Sequence, residues 1–172
     1  MDTGIDASQM DPTFVDQIAA EPGGEHIRRC FSCGTCTASC PVREVTERYN
    51  PRRIIRMAVL GLRERVLSSD FIWLCSTCYA CYERCPQDVR ITELMHAIKN
   101  VAVREGYIHP SFRMQVDLLS HHGRLYDITE FENERRAEQE LPAISERAED
   151  FGKIFAVTGL DALVRPEGGG TD

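Results

Sequence analysis

The chain has 172 residues, of which 42% are hydrophobic and 27% charged, and its formal net charge is −7. This length suits one compact domain with a satellite segment, and no apolar run approaches the roughly 18 residues that a membrane span needs. The acidic balance argues against a dedicated nucleic-acid binder. Because the N-terminus lacks the basic and apolar stretches of a secretory signal, we expect a cytoplasmic protein.

The first predicted element lies in an acidic segment. Residues 1–24 contain five acids and no Lys or Arg, and we interpret them as an N-terminal arm. Asp11 and Pro12 favour the start of a short helix that runs through Ala20. The rest of the arm is expected to be mobile.

An arginine-rich helix is predicted next. Asn50 and Pro51 are typical of a helix start, and apolar residues follow at helical spacing as far as Leu62. Ser68 to Asp70 indicate a further helix start. The remaining face of the first helix either offsets the negative charge of a bound group or is simply solvated, and both interpretations stay open for Arg52, Arg53, Arg56 and Arg63.

Helices also dominate the rest of the chain. Thr92 is expected to cap a helix that ends near Gly106. Another helix is predicted from Pro110 to His122, with Gly123 as its stop. Pro142 interrupts the pattern, and a last amphipathic segment runs from about 144 to 157 before a flexible tail at 168–170.

Eight cysteines are the unusual feature of the composition. Disulfides are disfavoured in a reducing cytoplasm, so metal binding is the expected use of these thiols. They form two copies of the pattern C-x2-C-x2-C-x3-C-P, and the second copy begins 45 residues after the first. The first copy contains Cys30, Cys33, Cys36, Cys40 and Pro41, and the second contains Cys75, Cys78, Cys81, Cys85 and Pro86.

This spacing is typical of ferredoxins that bind two 4Fe–4S clusters. Three closely spaced cysteines bind one cluster there, and the fourth cysteine ligates the other cluster. Zinc prefers two separated pairs of ligands, so a zinc-stabilised interaction module is the weaker alternative. The predicted ligands are Cys30, Cys33, Cys36 and Cys85 for cluster 1, and Cys75, Cys78, Cys81 and Cys40 for cluster 2.

The elements and motifs together predict the fold class. Because no convincing alternating strand appears, we expect a mainly α protein with an α-helical ferredoxin domain. Its parts are an acidic N-terminal arm (1–24), a dicluster domain (25–109) and a helical C-terminal extension with a flexible tail (110–172). No catalytic residue is expected, since the sequence shows neither a Gly-rich nucleotide loop nor a nucleophile–base set. Trp73, Tyr79 and Tyr82 are expected to shield cluster 2 from water.

The sequence around the motifs resembles the C subunit of heterodisulfide reductase, the soluble type of methanogenic archaea. The resemblance rests on the stretches Asn50–Leu62, Ser68–Cys81, Cys85–Thr92 and Asn100–Gly106. It is strong from about Arg29 to His109 and looser as far as Leu163. The acidic N-terminal segment lies outside it.

The resemblance implies an electron-transfer subunit of a CoB-CoM heterodisulfide reductase complex. Such a protein relays electrons through two 4Fe–4S clusters, from the flavoprotein (A) subunit to the disulfide-reducing (B) subunit. A hydrogenase or formate dehydrogenase is a further expected partner, and no substrate site is expected on this chain. The alternative is the iron–sulfur subunit of another oxidoreductase, such as a sulfur-oxidising relative or a glycolate or glycerol-3-phosphate dehydrogenase-like complex.

Overall fold

The structure is a computed structural model that describes residues 6–145, 150–160 and 162. It divides into two compact units, Met1–Tyr107 and Ile108–Asp172. Every regular element of the described residues is helical, which confirms the predicted mainly α class. None of the described helices is long and apolar enough to cross a membrane. The α-helices of the first unit are α1 (Phe14–Ala19), α2 (Thr35–Ala38), α3 (Pro41–Val45), α4 (Pro51–Val59), α5 (Arg63–Leu67), α6 (Ala80–Glu83) and α7 (Ile91–Arg104).

Helix α4 begins where the sequence predicts it. The side chain of Asn50 accepts a hydrogen bond from the backbone N–H of Arg53 at 3.0 Å, and Pro51 is the first helical residue. The cap satisfies one of the backbone donors that a helix start leaves without a partner. One face of α4 is buried through Ile54, Ile55 and Ala58, and its arginines lie on the opposite face.

The acidic N-terminal segment contributes to the core of the first unit. Helix α1 lies within the predicted helix, and Phe14, Val15 and Ile18 are buried against α4 and α7. From Phe14 to Ile18 the segment is therefore not a separate arm, because burying these apolar side chains stabilises the fold. Residues 1–5, which include part of the predicted mobile arm, lie outside the described residues.

A polar network fastens this segment to the rest of the unit. Arg63 donates to Asp11 at 3.0 Å and to Gln17 at 2.7 Å, and it also pairs with Glu105 after the end of α7. The backbone N–H of Asp11 donates to the carbonyl of Gly61 at 2.8 Å. A Cβ atom at Gly61 would lie 2.2 Å from the carbonyl oxygen of Asp11, so this close approach requires glycine.

The expected cap of α7 is wrong. The helix begins at Ile91, Arg90 precedes it with a positive φ of 55°, and no side chain caps it. Thr92 is the second residue of the helix and is buried, with its hydroxyl 3.7 Å from Sγ of Cys81. A threonine at a helix start ordinarily caps backbone N–H groups, but here its hydroxyl lies beside a sulfur.

The second unit has fewer buried residues. Helix α8 (Pro110–His122) ends at Gly123 with a φ of 67°, as predicted. Helix α9 (Glu130–Glu138) is not predicted from the sequence, and it begins with a capping box formed by Thr129 and Glu132. Helix α10 (Asp150–Thr158) overlaps the last predicted segment, and the predicted tail at 168–170 lies outside the described residues.

Candidate iron–sulfur centre

The first cysteine motif is a loop that curls between two short helices. Cys30 follows the 3₁₀ helix Ile27–Arg29, and Cys36 lies inside α2. Between them Ser32 and Gly34 have positive φ angles of 62° and 93°. Residues with positive φ reverse the backbone direction, so this loop encircles a small volume.

The second motif repeats the same backbone 45 residues later. Cys75 follows the 3₁₀ helix Asp70–Leu74, whose start at Ser69 and Asp70 matches the prediction, and Cys81 lies inside α6. Positive φ recurs at the two equivalent positions, Thr77 with 56° and Tyr79 with 63°. Non-glycine residues rarely adopt this conformation. Its recurrence at both positions indicates that the cysteine loop imposes it.

One cavity brings together the four cysteines predicted for cluster 1. Three of them come from the first loop, and Cys85 comes from the second motif. Cys85 also accepts a hydrogen bond from the backbone N–H of Val89 at 3.4 Å. Arg52 of α4 contributes a charged side chain to the same cavity. The four cysteines in its wall are Cys30, Cys33, Cys36 and Cys85.

The four cysteines predicted for cluster 2 also lie close enough to influence one another. Burial raises the pKa of the Cys81 thiol, and the hydroxyl of Thr92 opposes this shift. The neighbouring thiols of Cys75, Cys78 and Cys40 raise the pKa of Cys81 further, because like charges in one place disfavour ionisation. Cys40 itself is buried and directly precedes Pro41 of α3.

The two cysteine sites adjoin. Helices α2 and α6, which carry Cys36 and Cys81, pack against each other. Burial raises the pKa of the Cys36 thiol to about 11, with further contributions from Cys81 and Cys30 that the hydroxyl of Thr37 opposes. Cys36 of the first motif and Cys81 of the second therefore lie near each other. By contrast, Cys33 and Cys78 are exposed, one at each site.

Hydrogen-bond donors approach sulfurs at both sites. At the first site the hydroxyl of Thr35 lies 3.4 Å from Sγ of Cys33 and holds the pKa of that thiol below its usual range. At the second site Tyr49 is only 2% exposed, and its hydroxyl lies close enough to Cys75 for the two groups to influence each other. Burial, followed by the thiolate of Cys75, raises the pKa of Tyr49. The sequence pattern does not reveal Tyr49, because nothing local connects it with a cysteine 26 residues later.

A half-buried positive charge lies near the second site. The Nζ atom of Lys99 is 5.8 Å from the centre of the Trp73 ring. Burial lowers the pKa of Lys99, and the nearby thiolate of Cys75 opposes this shift. Tyr79 and Tyr82 also lie beside the motif, with ring centres 5.7 Å apart in an edge-to-face arrangement. That the aromatic residues shield cluster 2 from water stays a prediction.

The donor set fits iron–sulfur chemistry. All eight cysteines are free thiols. Four of them line one cavity, and Cys75, Cys78 and Cys40 lie close enough to Cys81 to influence its pKa. A 4Fe–4S cluster is held by four thiolates and is tuned by hydrogen bonds to its sulfurs. Each motif offers four free thiols, and a threonine hydroxyl lies beside one sulfur of each motif.

Comparisons with known proteins identify the family of this domain. Residues 26–89, which include both motifs, match the family described as 4Fe-4S dicluster domain. Fold and site therefore define a dicluster iron–sulfur protein, and the predicted pair of 4Fe–4S clusters is confirmed in place of the zinc alternative.

The chain belongs to the family of heterodisulfide reductase C subunits. It is 35% identical over 167 residues to the C subunit of the H(2):CoB-CoM heterodisulfide,ferredoxin reductase of Methanothermobacter thermautotrophicus, covering 93% of this chain and 89% of the relative. The iron-sulfur C subunit of the CoB--CoM heterodisulfide reductase of Methanopyrus kandleri is 33% identical, with 95% and 92% covered. The C subunit of the Ferredoxin:CoB-CoM heterodisulfide reductase of Methanosarcina mazei is 38% identical, with 83% and 86% covered. The resemblance inferred from the sequence is thus confirmed.

Proposed function

We propose that this chain is the electron-transfer subunit of a CoB-CoM heterodisulfide reductase complex in the cytoplasm. It relays electrons from a flavoprotein subunit to a disulfide-reducing subunit. The observation that carries the proposal is the exposure of the cysteines. Cys33 and Cys78 are exposed, one in each motif, whereas the buried Cys36 and Cys81 lie on helices that pack against each other. A relay needs both features, an exposed edge for each partner and a short distance between the clusters.

The ligand sets of the relay are crossed between the two motifs. The cavity that contains Cys85 together with three cysteines of the first loop supports the first set. The mutual influence of the thiols around Cys81 supports the second set. We propose Cys30, Cys33, Cys36 and Cys85 as ligands of cluster 1, and Cys75, Cys78, Cys81 and Cys40 as ligands of cluster 2.

The residues of the chain have separate tasks in this proposal. The cysteine loops bind the clusters, and each 4Fe–4S cluster supplies a carrier for one electron at a time. Thr35, Tyr49 and Thr92 hold the thiolates with their hydroxyl groups. Trp73 packs over Lys99 beside the second site and limits the access of water there. The disulfide chemistry belongs to the disulfide-reducing subunit.

The experiment that tests this function is the identification of the partner chains. An affinity tag on the full chain, used under anaerobic conditions in its own cells, retrieves the native complex for mass spectrometry. We expect the flavoprotein and the disulfide-reducing subunits, with a hydrogenase or formate dehydrogenase in a larger assembly. A complex that lacks both of these subunits and contains a glycolate or glycerol-3-phosphate dehydrogenase-like chain would contradict the proposal.

A further inference from the structure

An arginine-lined groove of about 710 Å³ opens in the first unit, beside the first cysteine site. Helix α4 supplies Arg52, Arg53, Arg56 and the half-buried side chain of Met57 to its lining. The loop of the first motif supplies Phe31, whose side chain is 60% exposed. Cationic, aromatic and thioether groups thus surround one open depression.

Three arginines of this groove have no salt-bridge partner within the part of the chain that the structure describes. Arg52, Arg53 and Arg56 are exposed, and none of them pairs with a described acid. Other arginines of the same unit do pair: Arg28 with Asp16, Arg48 with Asp70, and Arg104 with Glu21. Three adjacent cations that pair with no described acid attract an acidic surface.

The groove and the first cysteine site share residues. Cys30 lines both the groove and the cavity of the first site, and so does Arg52. A macromolecule bound in the groove therefore lies directly against ligands of cluster 1. The groove has the position that a protein needs for electron exchange with that cluster.

We infer that the groove is the docking site for an acidic surface of the protein partner that exchanges electrons with cluster 1. This inference rests on the proposed relay function. Arg, Met and aromatic residues are the types that protein interfaces concentrate, and all three line the groove. A small anionic ligand fits less well, because small-molecule sites enclose their ligand and these arginines are exposed.

The first test measures which arginines the partner covers. Phenylglyoxal labelling, read residue by residue by mass spectrometry, compares the native complex with the isolated holo chain. We expect labelling of Arg52, Arg53 and Arg56 to be at least fivefold slower in the complex. Labelling that is equally fast in both samples overturns the inference, and the reference arginines that should stay unchanged are Arg28, Arg48 and Arg104.

This test separates the docking site from the proposed function. If partners other than the flavoprotein and disulfide-reducing subunits protect the groove, the docking site is supported and the proposed function is wrong. If those two subunits bind and do not protect the groove, only the docking site is wrong. A chain that purifies by itself overturns both.

A second test compares two triple variants with equal loss of charge. R52Q/R53Q/R56Q removes the three arginines that line the groove without a described acidic partner, and R28Q/R48Q/R104Q removes three arginines elsewhere on the same unit. We expect the dissociation constant for the partner to rise at least tenfold in the groove variant and less than twofold in the control. We also expect the dissociation constant to depend less on salt concentration in the groove variant, because this variant lacks the charges that salt screens.

Three results of this comparison overturn the inference. One is unchanged partner affinity in the groove variant, and another is an equal loss of affinity in the control. The third is protection of the isolated chain from phenylglyoxal by millimolar inorganic phosphate, relative to chloride at equal ionic strength, which reveals a small-anion site. Iron content measured in each variant ensures that both triple variants still hold their clusters.

Discussion

The two cysteine sites share one loop conformation and differ in what surrounds it. Both place positive φ angles at the same two positions of the motif, and both leave one cysteine exposed. Around the first site lie the exposed arginines of α4 and a solvent-accessible hydroxyl at Thr35. Around the second site lie the buried hydroxyls of Tyr49 and Thr92 and the half-buried cation of Lys99.

Because both sites offer the same ligand type, a difference in reduction potential between the two clusters must come from the groups that surround them. Hydrogen bonds to ligand sulfurs and nearby positive charge stabilise the reduced, more negative state of a cluster. Water and salt screen the exposed arginines of the first site, whereas burial preserves the effects of Tyr49 and Lys99. We therefore expect cluster 2 to have the higher reduction potential.

The largest expected effect follows from removing one crossed ligand. Cys40 belongs to the first motif in sequence and to the second site in the proposed ligand set. Cys40→Ala should therefore destroy cluster 2 and lower the iron content from about eight to about four atoms per chain. Iron analysis and the electron paramagnetic resonance spectrum of the reduced protein measure this loss.

The reciprocal variant is the matched control for this prediction. Cys85→Ala should remove cluster 1 and leave the resonance signal that Cys40→Ala abolishes. If Cys40→Ala instead removes the cluster held by Cys30, Cys33 and Cys36, then each motif binds its own cluster and the crossed assignment is wrong.

The next effect concerns the buried hydroxyl of Tyr49. Tyr49→Phe removes the hydroxyl near Cys75 and keeps the ring, so cluster 2 should form normally. A hydrogen bond to a charged acceptor is worth about 1.5 kcal/mol, and about 59 mV corresponds to a tenfold change for one electron. The hydrogen bond is expected in both redox states, so only the difference in its strength between them changes the reduction potential. We therefore expect the potential of cluster 2 to fall by about 30 mV.

A redox titration monitored by electron paramagnetic resonance measures this shift. Tyr79→Phe is the control, since Tyr79 lies in the same motif but is 44% exposed. An equal shift in both variants, or a shift of cluster 1 after Tyr49→Phe, would contradict a specific role for the buried hydroxyl.

Tyr49 also illustrates how far the sequence could predict this site. The cysteine loops and the start of α4 follow from neighbouring residues, so spacing and capping rules were sufficient. Tyr49 reaches its sulfur only through tertiary packing, which no local pattern indicates. The capping rule failed at Thr92, because its burial beside Cys81 depends on α6 and α7 packing together.

The N-terminal segment could be predicted only in part, for a different reason. Its five acids suggested an N-terminal arm with a short helix, whereas the burial of this helix depends on Phe14, Val15 and Ile18. Their spacing places them on one face of α1, and this face packs into the core. A net charge averages over a whole segment and therefore hides a short apolar face.

A smaller effect is expected from the charge of Lys99. Lys99→Met keeps the length of the side chain over Trp73 and removes the cation near Cys75. The reduced state of cluster 2 then loses a favourable charge, so its potential should fall by about 20 mV, less than for a direct hydrogen bond. Cluster 1 should keep its potential in the same titration. A rise for cluster 2 would show that desolvation, not charge, dominates the effect of Lys99.

The smallest effect comes from one substitution made at both sites. Thr→Val replaces a hydroxyl by a methyl group of similar size, at Thr92 beside Cys81 and at Thr35 beside Cys33. Thr92 is 1% exposed, so no water replaces its hydroxyl, and the potential of cluster 2 should fall by about 15 mV. Near Thr35 water reaches the exposed sulfur of Cys33 and restores a donor, so cluster 1 should shift by less than about 5 mV. Equal shifts at the two sites would mean that burial does not distinguish them, and the contrast in potential would then have to come from charge alone.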